Sequence, residues 1–400
     1  MKRIKLGLVA KLLIAIVLGI IFGQLAFLPD FILQIPVTIS AIFSSLLKFI
    51  IPLMILGFVV IGIADLTQGA GKLLGITTLM AYSSTLIAGM VAYFVAVNVF
   101  PLFIDASLSD AVSGDQKSLE PLFSIPLEPI LDVTSAIVFS FMFGICISWL
   151  KGQGKGETMY NFFSEFNLII TKLLSSLIIP GLPIFIFGNF VNLSYAGSVF
   201  SILSIFWKVF IIIISVQLTL VTLFFVIAGV YTKKNPLILM KNQIPGYITA
   251  VGTQSSAATI PVNLEIAKKN GVSIQIREFI IPLAATIHLL GSIVTVTSCE
   301  TAVLLMYNMP VQFGMMAGFI AMLGIAMVAA PGAPGGAIMS ALPFMTMVGI
   351  DPTGVLGNLL ITLYLTQDSF GTAANVSGDN AIAVIMDKIY HKHILKEPIE

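Results

Sequence analysis

Long apolar stretches alternate with short polar segments along almost the whole chain. Eight of these stretches are long enough to cross the roughly 30 Å hydrocarbon core of a bilayer as an α-helix. They lie near residues 6–28, 33–64, 73–104, 127–150, 165–192, 201–231, 274–307 and 353–388. The pattern therefore predicts an all-α polytopic membrane protein with eight transmembrane helices.

Two further apolar segments, 236–270 and 313–349, are interrupted by polar residues, glycine and proline. The first contains VGTQSSAATIP at 251–261, and the second contains AAPGAPGGA at 329–337. Glycine and proline disfavour a continuous helix, so each segment is expected to fold back as a hairpin. Irregular backbone at membrane depth is tolerated where it is buried in protein or lines a cavity, so the two hairpins should border a central site.

The positions of the basic residues predict how the chain is oriented in the cell membrane. Lysine and arginine concentrate in cytoplasmic loops, and the two ends of the chain (2–5 and 388–396) each hold three of them. Both termini are therefore expected in the cytoplasm. Lys268 and Lys269 are cytoplasmic only if 236–270 enters and leaves the membrane on that side. The first hairpin is thus predicted to be re-entrant from inside and the second from outside.

Composition agrees with this assignment and excludes several classes of protein. The chain is 58% hydrophobic and 10% charged, whereas a soluble domain carries about 25% charged residues. A net charge of +1 gives no sign of a nucleic-acid partner. Cys146 and Cys299 lie in apolar runs, so neither a disulfide framework nor a metal cluster is expected. The sequence contains neither a P-loop nor an HExxH motif, and no enzymatic activity is predicted.

The last apolar run carries a polar stripe. Asp368, Thr372, Asn375 and Asp379 are spaced so that they fall within roughly 60° of arc on one helix. A carboxylate at bilayer depth costs about 2.5–3.5 kcal/mol even on the lenient insertion scale. Such a stripe indicates a site for ions, protons or a polar substrate; interhelical hydrogen bonding without transport is the alternative.

The hairpin tips and the seventh run add candidate groups. Ser255 and Ser256 precede a helix whose free N–H groups suit a carboxylate, or else they cap that helix in the ordinary way. Gly335 belongs to a permissive segment that could serve as a gate close to a ligand, or as an extracellular turn. His288 is a candidate proton carrier or a packing residue.

Together these features resemble the dicarboxylate/amino acid:cation symporter family, which has the glutamate-transporter fold. The resemblance covers the Ser-rich first hairpin, the broken seventh run, the Gly/Pro-rich second hairpin and an eighth run that ends Asn-Val-Ser-Gly-Asp (375–379). TQSSAATIPVN (253–263) is most similar to the serine/threonine symporter branch.

The family implies a homotrimer in which a transport domain slides as an elevator against a scaffold. On this basis 1–72 and 127–231 are expected to contribute mainly the scaffold and repeat-related spans, and 236–390 the transport core.

The resemblance also implies roles for individual residues. Asp368 would bind the amino group of a substrate, and Asp379 would bind sodium. The implied substrate contacts are Asp368, Thr372, Asn375, Ser255, Ser256 and Gly335, and the implied ion contacts are Asp379, Asn375, Ala284 and Thr286. No cofactor other than the coupling ion is expected.

At two places the chain departs from the family pattern, and these departures narrow the range of expected substrates and coupling ions. Members that carry acidic substrates have an arginine where this chain has Gly371 or Gln254, so a second substrate carboxylate would have no partner. The family motif Asn-Met-Asp-Gly-Thr reads His-Leu-Leu-Gly-Ser at 288–292, which should remove one sodium site.

The leading hypothesis is therefore a symporter that couples sodium, or a proton, to uptake of a small neutral amino acid such as serine, threonine or alanine. A proton- or sodium-coupled dicarboxylate or glutamate symporter, and a passive channel, are the alternatives.

Overall fold

A computed structural model describes residues 8–25, 27–66, 72–104, 119–197, 199–328 and 335–394. The regular secondary structure of these residues is helical. The first seven α-helices are α1 (Leu8–Gly23), α2 (Asp30–Leu66), α3 (Lys72–Val99), α4 (Val133–Gly152), α5 (Glu157–Leu173), α6 (Ile179–Tyr195) and α7 (Val199–Thr232). The remainder are α8 (Pro236–Thr253), α9 (Ser256–Lys269), α10 (Ile274–Ile287), α11 (Leu290–Met306), α12 (Phe313–Val328), α13 (Gly336–Ala341) and α14 (Val355–Ile389). Short 3₁₀ segments follow α3 and α13 (Phe100–Leu102 and Leu342–Val348), and π-helical turns follow α5 and α14 (Leu174–Ile178 and Tyr390–Ile394).

Five of the described helical segments are long and apolar enough to cross a membrane. They are Asp30–Ile61, Leu73–Leu102, Glu157–Tyr195, Ile202–Thr232 and Ile274–Met306, and four shorter apolar helices accompany them. The α14 helix is not among the five, because its polar stripe lowers its hydropathy. The helical, membrane-spanning character of the chain follows from these segments, while the number of eight spans stays a prediction.

The first interrupted segment folds back on itself. Asn235 caps α8 by accepting a hydrogen bond from Leu237 N at 2.9 Å, and α8 ends where Gln254 adopts a left-handed φ of 54°. Ser255 then caps α9 by accepting from Ala258 N. The Nε2 group of Gln243 on α8 donates to Asn263 Oδ1 on α9, which shows that the two helices run antiparallel as a hairpin.

The second interrupted segment also folds back, since α12 packs against α13 and the following 3₁₀ segment. Its tip, 329–334, lies outside the described residues. Of the predicted gate at 329–337, the structure therefore describes residues 335–337.

The helices pack in two groups. In the first, α1 packs on α6, and α2 packs on α4, α5 and α6. In the second, α14 is central and is surrounded by α7, α8, α9, α10 and α11, while α3 packs on α11. Almost every residue of α14 from 359 to 386 is buried, so its polar stripe lies in the protein interior.

The two groups meet where α12 and the Leu342–Val348 segment pack against α2, and where α14 contacts α1 and α6. A polar contact also joins them, because Asn358 Nδ2 of α14 donates to Asn189 Oδ1 of α6 at 3.4 Å.

Candidate functional site

Asp368 lies at the middle of α14 and is only 4% exposed. Its Oδ1 accepts a hydrogen bond from the Tyr364 hydroxyl at 2.7 Å, and its Oδ2 accepts one from Gly335 N at 2.7 Å. Gly335 is left-handed, with φ +76°, so glycine is favoured where the second hairpin approaches the carboxylate. The second hairpin thus directly contacts the residue predicted to bind a substrate amino group.

Asn375 holds the break between α10 and α11, residues 288–289. The first N–H groups of a helix have no acceptor within that helix. Asn375 Oδ1 supplies one, because it accepts from Gly291 N at 2.7 Å and from Ser292 N at 3.2 Å. The Asn375 Nδ2 group in turn donates to Ser292 Oγ at 2.9 Å. A side chain of α14 therefore caps α11 at the point where the seventh apolar run is broken.

Glycine is required at this contact. A Cβ atom on Gly291 would lie 2.2 Å from Gly371 O and 2.6 Å from Ala374 Cβ. The close approach of the two backbones lets Asn375 reach the first turn of α11.

His288 and Asp379 form a buried pair at the same break. The His288 Nδ1 and Asp379 Oδ1 atoms are 2.9 Å apart, and both side chains are excluded from solvent. Within the described part of the chain, Asp379 Oδ2 and His288 Nε2 have no hydrogen-bond partner. A buried carboxylate oxygen without a donor is suited to a cation, so the Asp379 side chain keeps one oxygen available to an ion.

Uncharged amides attach the first hairpin to α14. We refer to five of them as the amide cluster, namely Asn242, Gln243, Asn263, Asn270 and Asn380. Asn380 Nδ2 donates to Asn263 O and Oδ1, and Asn380 Oδ1 accepts from Asn270 Nδ2 at 2.9 Å. Asn263 Nδ2 donates to Val376 O at 3.0 Å. These bonds bring the base of the hairpin within one turn of Asp379.

Two charged side chains, Lys234 and Asp387, lie at the base of the first hairpin. Lys234 Nζ donates to Asn270 O at 2.6 Å, at the end of α9. Burial lowers the pKa of the Lys234 ammonium, an effect that the nearby Asp387 carboxylate opposes. Asp387 also accepts from Ser273 N and Oγ, which fixes the start of α10.

The tip of the first hairpin lies beside the polar stripe, because Tyr247, Ala250 and Val251 pack against Ala373 and Val376 of α14. At that tip Gln254 and Ser256 are buried, and the hydroxyl of Ser255 caps α9.

Six of the predicted site residues lie on α14 or contact it. Asp368, Asn375, Asp379 and Thr372 share the buried face of α14, and Gly335 and His288 contact that face. Ala284 is buried, and its carbonyl accepts from His288 N at 2.9 Å. The Thr286 hydroxyl donates to Leu283 O and the residue is exposed, so its side chain is not part of the buried cluster. The ligand roles of these residues stay predictions.

Tyr364 and Ser292 were not identified from the sequence. Tyr364 precedes Asp368 by four residues and therefore lies on the same helical face, which is the signal that could have found it. Ser292 could be assigned only once Asn375 was known to cap α11, because that contact joins residues 83 positions apart.

The chain is similar in sequence to known proteins. The sequence profile of the sodium:dicarboxylate symporter family matches residues 8–389. The chain belongs to this family.

Two relatives illustrate the range of similarity. The chain is 24% identical to the serine/threonine transporter SstT of Acinetobacter baumannii (strain AYE) over 394 residues, which cover 96% of this chain and 97% of the relative. It is 27% identical to excitatory amino acid transporter 1 of Homo sapiens over 301 residues, which cover 74% of this chain. The match spans about half of the human protein, 54% of its length.

Proposed function

We propose that this protein is a sodium-coupled symporter of a small neutral amino acid such as serine, threonine or alanine. The observation that carries the proposal is Asp368, a buried carboxylate held at the junction of α14 and the second hairpin. Such a carboxylate is suited to an ammonium group, since a buried charge is favourable only when it is paired.

The absence of arginine at two positions favours a neutral substrate. Gly371 follows Asp368 by one turn, and Gln254 occupies the tip of the first hairpin. Neither residue can pair with a side-chain carboxylate, and leaving a buried charge unpaired costs several kcal/mol. The near full-length similarity to a protein named for serine and threonine supports the same substrate class.

In this proposal the substrate ammonium binds Asp368, and its carboxylate binds the first hairpin tip at Ser255 and Ser256, with Thr372 contacting its hydroxyl group. Sodium binds Oδ2 of Asp379, which has no partner among the described residues, beside Asn375. Its binding favours closure of the second hairpin over the loaded site, which couples the two ligands through their differential affinity for the closed state.

The finer architecture belongs to the same proposal. Eight spans and two re-entrant hairpins would sit in the cell membrane with both termini in the cytoplasm. Three copies would assemble as a trimer, and the α14-centred group would slide against the α1–α2 group as an elevator. Among the described residues, the side-chain hydrogen bond between the two groups is the 3.4 Å contact from Asn358 to Asn189, and so weak a connection supports such sliding.

Uptake into proteoliposomes tests the function. An inward sodium gradient should drive accumulation of serine above its external concentration, while a potassium gradient should not. Asp368→Asn should abolish accumulation, because the substrate ammonium loses its charged partner. Asp351→Asn is the matched control, since Asp351 is exposed and its side chain accepts from Thr353 N and Oγ1 in its own loop.

The outcomes separate the alternatives. Failure to accumulate serine, threonine or alanine in a sodium gradient would overturn the proposal. Uptake that succinate or glutamate competes would favour a dicarboxylate carrier, and equilibration without accumulation would identify a channel. Retained serine uptake by Asp368→Asn would refute the ammonium role.

A further inference from the structure

A buried glutamine of α7 holds the first turn of α11. Gln217 is 1% exposed, and its Nε2 group donates to Gly291 O at 3.0 Å and to Thr295 Oγ1 at 2.8 Å. A carbonyl oxygen only accepts, so the amide nitrogen must face α11. The Gln217 Oε1 atom has no hydrogen-bond partner among the described residues. The polar contacts that the structure gives for this side chain are therefore made to one turn of α11.

The same turn of α11 faces Gly371 on α14. A Cβ atom on Gly371 would lie 3.3 Å from Thr295 Oγ1 and 3.5 Å from Gly291 O. These are the two atoms to which Gln217 donates. Even with the distances through Thr295 Oγ1 in a straight line, the Gln217 amide lies within reach of an extended arginine side chain on residue 371.

This packing leaves no room for a side chain at position 371. Thr295 is fully buried and Gln217 almost so, and protein interiors hold few voids larger than a water molecule. A Cβ atom 3.3 Å from Thr295 Oγ1 would already be closer than the optimal separation of non-bonded atoms. Gly371 follows Asp368 by one turn, and it is one of the two positions at which family members that carry acidic substrates have an arginine.

We propose that Gln217 and Thr295 are specificity-determining residues, because they occupy the space that an arginine at position 371 would need. The inference rests on the proposed function and adds the residues that maintain its neutral substrate class. Both act through position 371 and are therefore positioning residues. With Gln217 shortened, an arginine at 371 has room to pair with Asp368 in the empty site and with a second substrate carboxylate in the loaded one.

Gly371→Arg with and without Gln217→Ala tests the proposal. Aspartate and serine binding are measured by calorimetry on the purified full chain at saturating sodium. Gly371→Arg alone should bind both weakly, because the arginine displaces the turn of α11 that Asn375 caps. The double variant should bind aspartate at least about tenfold more tightly than Gly371→Arg does, the effect of gaining a hydrogen bond between charged groups. Its preference for aspartate over serine should rise as well, which a purely structural rescue would not produce.

Gly371→Arg combined with Gln367→Ala is the matched control. Gln367 is also a buried glutamine whose Oε1 has no partner in the described part of the chain. Its Nε2 group donates to Leu363 O in its own helix and to Cys299 Sγ, and not to the turn that faces Gly371. The control removes the same volume elsewhere, so it should bind aspartate no better than Gly371→Arg.

A second measurement needs no substrate. Thermal unfolding in detergent is compared for Gly371→Ala, Thr295→Ala and the double variant. Gly371→Ala should lower the unfolding temperature less when Thr295 is already alanine, because the crowded oxygen is gone. The higher helix propensity of alanine is the same in both backgrounds and cancels in this cycle.

Equal aspartate affinity in Gly371→Arg with and without Gln217→Ala would overturn the inference and leave the proposed function intact. Additive shifts in the unfolding cycle would also overturn it, since residues 371 and 295 would then not compete for space. The cycle decides alone if the arginine variants do not fold. If the unmodified protein binds no serine, the proposed function fails, and the cycle still tests the packing.

Discussion

The two carboxylates of the stripe are held in different ways. Both oxygens of Asp368 accept hydrogen bonds, one from each of two elements. Within the part of the chain that the structure describes, Asp379 Oδ1 pairs with His288 Nδ1, and Oδ2 has no donor. The first arrangement suits an organic ammonium group, which can bind a carboxylate that is already held in place. The second suits a small cation, which can bind the oxygen that lacks a donor.

A third buried carboxyl has no role in the proposed transport. Glu300 on α11 is fully buried, and neither of its oxygens has a partner within the described ranges. Burying a polar group without a hydrogen bond costs about 1–3 kcal/mol in proteins. Glu300→Met should therefore raise the free energy of unfolding by a similar amount, which a thermal-unfolding measurement in detergent would detect.

Glu265→Met serves as the comparison, because Glu265 on α9 is exposed and has no burial cost to relieve. If Glu300→Met instead lowers the unfolding temperature, the carboxyl of Glu300 has a partner in the folded protein, for example a bound cation.

At the residue scale the sequence predicted which polar side chains share a helical face, but not the groups that hydrogen-bond to them. The spacing of Asp368, Asn375 and Asp379 placed them on one face, and all three are buried on one face of α14. The donors that hold them come from elsewhere in the chain, as with His288 and Asp379, which are 91 positions apart. Helical periodicity carries no information about such partners.

At the scale of the helices, the first hairpin shows how a few neighbouring residues determine where a helix ends. The first was predicted to break within 251–261, and the break lies at Gln254–Ser255 because a left-handed residue is followed by a serine cap. Pro245 and Pro261 lie inside α8 and α9 without ending either helix. Proline alone was therefore a weaker signal than the cap.

The seventh and fifth apolar runs show the limits of local signals. The Gly291–Ser292 pair of the seventh run would favour a loosened helix, but the break lies at 288–289 because Asn375 caps the helix that follows. The fifth run appeared continuous, yet a π-helical turn at Leu174–Ile178 divides it just before Pro180. Pro180 lacks an N–H and clashes with the preceding turn, which favours the looser helix.

The amide cluster predicts how firmly the first hairpin is held. Asn380→Ala would leave the buried Asn270 Nδ2 group without its acceptor, at a cost of about 1–3 kcal/mol, and would remove one of the two amide donors to Asn263 Oδ1. The variant should unfold at a lower temperature, and trypsin should cut faster at the exposed Lys268 and Lys269 at the hairpin base.

Asn98→Ala is the control for this change, because Asn98 is exposed and its side chain donates to Phe94 O in its own helix. Unaltered stability and cleavage in Asn380→Ala would show that apolar contacts, rather than the amide cluster, hold the hairpin on α14.

At the scale of the whole molecule, the packing of the helices in two groups predicts that one group moves relative to the other. Asn189 and Asn358 face each other across the boundary between the groups. With Cys146 and Cys299 replaced by alanine, cysteines at positions 189 and 358 should be bridged by mercuric ion. If the groups must slide, the bridge should block serine uptake, and a thiol reagent should restore it.

Variants with a cysteine at only one of these two positions should take up serine equally well with and without mercuric ion. A bridged double variant that transports at the full rate would show that the two groups do not move against each other.

The amide cluster also has an electrical consequence. Moving one elementary charge through 100 mV involves about 2.3 kcal/mol, but asparagine and glutamine side chains carry no net charge. The five amides that fasten the first hairpin to α14 can therefore cross the membrane field without electrical work. The voltage sensitivity of the cycle should accordingly arise from the carboxylates of the stripe and the ligands they carry, and the attachment itself should be equally strong in polarised and depolarised membranes.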